Sequence, residues 1–101
     1  MKLLILTIIV EHKEALVQLL KKAHIDRYST SEIKGHKEGS SSLSASNWFS
    51  NISGDVNSEM LFSFVEEEKI KLLFELIKEF NAELPTNNPI KGVVLPIESY
   101  I

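Results

Sequence analysis

The run Leu3 to Val10, LLILTIIV, constrains this chain more than any other stretch. It is apolar at nearly every position, so neither side of a strand built from it suits water. That is the pattern of a strand buried on both faces. The run is far too short to cross a bilayer. It does not read as a secretory signal either. No small-residue cleavage site follows, and Glu11, His12, Lys13 and Glu14 come at once.

Beyond Val10 the period changes. Ala15, Leu16, Leu19, Leu20 and Ala23 recur at helical spacing, with Lys13, Glu14, Gln18, Lys21 and Lys22 on the other side. This predicts an amphipathic helix over Glu11 to Ala23, acidic at its start and basic at its end as the helix dipole prefers. His12 and His24 sit at its two ends, and His24 suits a C-terminal cap. Arg27 to Lys37 predicts a second strand; Tyr28, Thr30 and Ile33 favour β structure, and the many polar residues place it at an edge. Ser58 to Val65 predicts a third, with Met60, Phe62 and Phe64 on one face and Leu61, Ser63 and Val65 on the other. Glu66, Glu67 and Glu68 open a second helix with the stripe Ile70, Leu73, Phe74, Ile77 and Phe80. Three carboxylates there read as a dipole-matched, solvated helix start rather than acid–base machinery. Asn81 to Pro89 reads as a turn region. Lys91 to Ile97 predicts the last strand, which lies at an edge or ends at Pro96 because proline cannot donate to a ladder.

Between the second and third strands lies Lys37 to Asn57, rich in glycine, serine and asparagine and without either period. A loop this long inside a compact domain is functional or disordered as a rule. It carries Trp48 and Phe49, two aromatics in a stretch too polar to build a core. One reading is an anchor for a partner's pocket, where truncation costs about 2 kcal/mol or more. The other is that the loop folds back and buries both on its own assembly. The loop serines have no histidine–acid pair placed beside them, so they read as flexibility rather than nucleophiles.

The order βαββαβ in 101 residues predicts a single domain, 1–101, of the α+β class. Its arrangement is ferredoxin-like: a four-stranded antiparallel sheet with two helices on one face and a mobile loop, 37–57. Strands one, three and four are apolar on both faces, yet two helices cover only one. The other face would expose several hundred Å2 of apolar surface, about the limit for a soluble monomer. Other copies of the same sheet are the economical cover, which predicts a closed homo-oligomeric ring. A net charge of −3 argues against nucleic acid as a partner. The absence of cysteine removes disulfides, thiolate zinc sites and cysteine nucleophiles, and fits the cytoplasm. No nucleophile–base–orienter set is present, so an enzyme is not expected.

Two segments carry a family resemblance. Ser29-Thr30-Ser31-Glu32-Ile33-Lys34-Gly35-His36 before the long loop, and Val93-Val94-Leu95-Pro96-Ile97-Glu98 near the end, resemble the PII signal-transduction family. That family has the patterns T-x-T-E-V-K-G and F-V-x-P-V-E at those places. The resemblance spans the chain. It implies a trimer with sheets inward and nucleotide sites, for ATP, ADP or AMP, in clefts between subunits. It also implies long loops that dock on membrane transporters or enzymes. Lys91 falls on the family's phosphate-binding lysine and Gly35 on the glycine at the loop base. With Lys34, His36 and Lys37 they make the candidate phosphate site.

The chain also departs from that pattern. Lys37 and Glu38 replace a glycine and an arginine. Asn87, Asn88 and Pro89 replace glycines before the last strand, and no arginine-bearing tail follows that strand before Ile101. The loop holds no tyrosine for uridylylation and no glutamine for a magnesium–2-oxoglutarate site. Lysine is a point charge without the arginine fork, so a weak nucleotide site is expected unless Lys34 or Lys37 substitutes. The other reading is a divalent-metal-handling protein like the CutA group, of similar trimeric build, using His36 and loop or helix carboxylates.

Overall fold

The computed structural model describes residues 1–36, 56–84 and 88–101. Strand β1 is Lys2–Ile9, followed by a single 3-10 turn at Val10–His12 and helix α1 at Lys13–Lys22. Strand β2 is Ser29–Gly35, β3 is Val56–Val65, helix α2 is Glu67–Glu83 and β4 is Lys91–Pro96. All pairings are antiparallel and the sheet order is β2-β3-β1-β4. The βαββαβ order, the α+β class and the ferredoxin-like sheet expected from the sequence are all present. The polar strand β2 and the proline-ended strand β4 lie at the two edges.

Registers define two faces. Leu4, Leu6 and Ile8 of β1 share a face with Leu61 and Val65 of β3. They are buried against Leu16, Leu19 and Leu20 of α1 and Ile70, Leu73 and Ile77 of α2. Burying each such side chain is worth about 1.5–3 kcal/mol, and this single layer is the core. On the other face Leu3 pairs with Phe64 and Leu95, and Ile5 with Phe62 and Val93. No helix covers it: Phe62 is 37% exposed, Phe64 56%, Val93 39% and Leu95 41%. The expected uncovered apolar face therefore exists in the single chain.

Several boundaries differ from expectation. Strand β3 begins at Val56 rather than Ser58, because Val56 and Asn57 continue the ladder opposite Gly35 and Lys34; the predicted loop 37–57 overran by two residues. Helix α2 runs on through Glu83 into the predicted turn, since Asn81 turns its side chain to the chain beyond the helix instead of ending it. Strand β2 is shorter than predicted at both ends. Helix α1 closes on a Schellman-type cap: Ile25 N–H donates to the Leu20 carbonyl at 2.9 Å and His24 N–H to Lys21 at 3.0 Å. His24 takes the left-handed position, φ 61°, that glycine usually fills.

Candidate functional site

The predicted phosphate residues lie at opposite edges of one sheet. Lys34 and Gly35 end β2, with exposed His36 just beyond. Lys91 opens β4. Lys91 is opposite Thr7, Thr7 opposite Met60, and Met60 opposite Ser31. The row through Lys91 thus reaches β2 three residues short of Lys34. Three strand spacings are about 14 Å and three residues about 10 Å. Parity separates them too. Lys34 pairs with Asn57 on the helix face, while Lys91 pairs with Thr7 on the open face. One chain does not bring both onto one phosphate group. Lys37, Trp48 and Phe49 lie outside the described residues.

The approach to Lys91 is firmly tied. Asn81 makes a two-point bond with Ile90: its Nδ2 donates to the Ile90 carbonyl at 3.0 Å and Ile90 N–H donates to its Oδ1 at 2.9 Å. His12 Nε2 donates to the Asn88 carbonyl at 3.1 Å. The His12 ring stands edge-on to Phe80, with centroids 5.5 Å apart and planes at 83°. His12 is thus a structural tie between the start of α1, the end of α2 and the entry to β4. Among the described residues no group of three or more His, Asp or Glu side chains is placed to hold a metal ion.

Two clefts flank strand β2. One, on the helix face, has a volume of about 450 Å3 and is lined by Val10, Lys13, Glu32, Lys34, Asn57 and Glu59 among others. The 3-10 turn sets Lys13 at the first position of α1, where its Nζ lies 3.2 Å from Glu59 Oε1. Glu32 is directly opposite Glu59 across the β2–β3 ladder. Sequence reading passed over Lys13, Glu32 and Glu59 as site residues. Period-two counting back from Leu61 would have flagged Glu59 as a carboxylate among inward residues. The second cleft, about 560 Å3, includes Arg27, Tyr28, Ser29, Phe62 and Phe64. It opens at the edge of the uncovered face, and Arg27 is the sole arginine of the chain. Ser63 Oγ donates to the Arg27 carbonyl and pins the backbone there.

No protein-family model and no curated protein sequence matches the chain. Solved structures do match. The structure of CPII, a nitrogen regulatory PII-like protein from Thiomonas intermedia K12, bound to ADP, AMP and bicarbonate, aligns with a TM-score of 0.63 at 21% identity. That alignment covers 99% of this chain and 94% of CPII. CPII bound to ADP, AMP and acetate aligns at 0.61 and 19% identity, over 97% of this chain and 88% of that one. Apo CPII aligns at 0.55 and 20%, over 93% of this chain and 89% of that one. At about one identical residue in five the likeness is one of architecture, and it extends over nearly the whole length of both chains. The chain is a divergent sequence carrying the PII-like fold.

Proposed function

We propose that this chain is a non-enzymatic, cytoplasmic PII-like regulator that works as a homotrimer with its open sheet faces turned inward. A small effector binds in the clefts between subunits, and the loop from residue 37 engages a protein partner through Trp48 and Phe49. A membrane transporter is the partner class the sequence resemblance suggests. No described helix is long and apolar enough to cross a membrane.

The observation that carries this reading is the placement of the two lysines. Lys34 and Lys91 lie at opposite edges of the sheet, on opposite faces. In the proposed trimer the β2 edge of one copy faces the β4 edge of the next, which would bring the two lysines to one boundary. The cleft lined by Arg27 and Phe62 lies at the Ser29 end of the same β2 edge strand and would offer a guanidinium and π faces to a planar base. A nucleotide is therefore the first candidate effector, and CPII, of the same fold, is bound to ADP and AMP. The test is a thermal-shift titration with ATP, ADP and AMP. Binding to the native state raises the melting temperature by mass action. The expected result is a shift with at least one nucleotide that Lys91→Ala abolishes. No shift with any of them, or one that survives Lys91→Ala unchanged, would contradict the assignment.

A further inference from the structure

The chain leaving β1 touches both neighbouring strands at once. Sheet order places β1 between β3 and β4. Its exit at Ile9 lies at the same end of the sheet as Lys91, where β4 begins, and as Gly35 and Val56, where β2 ends and β3 begins. Two consecutive residues past that exit reach opposite ways. His12 Nε2 donates to the Asn88 carbonyl at 3.1 Å, on the approach to Lys91. Lys13 Nζ lies 3.2 Å from Glu59 Oε1, in the part of β3 that leads from the loop. The candidate phosphate lysine and the base of the loop from residue 37 are therefore both tied to one short turn, Val10 to Lys13.

Neither tie is slack. The His12 ring stands edge-on to Phe80, with centroids 5.5 Å apart. The next residue of α2, Asn81, grips both backbone groups of Ile90. His12, Asn88 and Ile90 are thus held against one helix end. On the other side Glu59 is 8% exposed. Lys13 cannot release it without leaving a buried carboxylate uncompensated. The turn itself, Val10-Glu11-His12-Lys13, contains no glycine to act as a free hinge. Packed interiors transmit strain rather than absorb it, so a displacement entering at Asn88 has a stiff route to Glu59.

We propose, resting on the nucleotide assignment, that this turn carries effector occupancy at Lys91 to the base of the loop, through His12 on one side and Lys13 on the other. The experiment titrates the full chain with ATP, ADP and AMP by calorimetry. It then reads amide exchange at Gly35, Val56 and Asn57 by NMR, with and without saturating nucleotide. In the unaltered chain nucleotide is expected to change exchange at these amides by about threefold or more. His12→Phe keeps a ring against Phe80 but has no donor for Asn88. Lys13→Met combined with Glu59→Met removes the ion pair without stranding a buried charge. Both should lose the exchange response at saturating nucleotide, and the Lys13, Glu59 double variant should keep nucleotide affinity within about threefold. His12→Gln, which restores a donor near the Nε2 position, should recover the response. A merely structural tie would lower stability without separating binding from response. Binding without an exchange response in the unaltered chain, or a full response in either variant that lacks a tie, would overturn the coupling alone. Binding by none of the three nucleotides would overturn the effector assignment and the coupling with it.

Discussion

Gly92 passes close over the core, and a methyl group there has no room. An added Cβ would lie 2.6 Å from Leu6 Cδ2 and 3.3 Å from Phe74 Cε1. Leu6 is fully buried, so its side chain cannot simply swing aside. Gly92→Ala is expected to destabilise the fold by about 1–3 kcal/mol through overpacking, read as a lower urea midpoint. His24 invites the opposite change. It holds a left-handed φ of 61°, which costs a side-chain-bearing residue about 1–2 kcal/mol relative to glycine. His24→Gly is expected to stabilise by about 1 kcal/mol once the looser unfolded chain is discounted; a lower melting temperature would count against the cap. Sequence reading placed His24 at this cap from its position after Lys21 and Lys22. Nothing in the residue itself announced a positive φ. Glu59 was legible in principle, because parity with Leu61, Ser63 and Val65 follows from alternation alone. Its pairing with Lys13 was not, because the two are joined only by the way α1 lies over β3.

At the scale of elements, existence and type could be read, and ends could not. Hydrophobic period determines which residues meet the core, so the stripes of α1 and α2 and the two faces of β3 follow from it. Ends depend on polar bonds between segments distant in sequence. Asn81 shows this: asparagine before a proline-containing stretch reads as a helix stop, yet here it stays in the last turn of α2 and grips both backbone groups of Ile90. Replacing it by alanine removes two side-chain–backbone bonds, at about 1 kcal/mol each. Asn81→Ala is expected to cost about 2 kcal/mol and to speed amide exchange at Ile90 while leaving the β1–β3 ladder protected. Uniform loss of protection would argue that the clamp is not local. The same clamp determines where Lys91 stands, so the variant should also weaken any nucleotide binding that Lys91 supports.

For the whole molecule, the uncovered face governs the account. Leu3, Ile5, Phe62, Phe64, Val93 and Leu95 share it, and no element of the described chain covers it. This was legible early, because a strand apolar on both sides in a chain with two helices leaves one side without a cover. The effector was not legible, because the candidate lysines Lys34 and Lys91 are split between the sheet edges of one chain and would join only in the proposed assembly. Sedimentation velocity of the purified chain at micromolar concentration tests the central claim most directly. A single species at three times the 11.4 kDa chain mass, dispersed toward monomer by Phe64→Glu, is the predicted result. A stable monomer at that concentration would contradict the inward-facing trimer and, with it, the inter-subunit effector site.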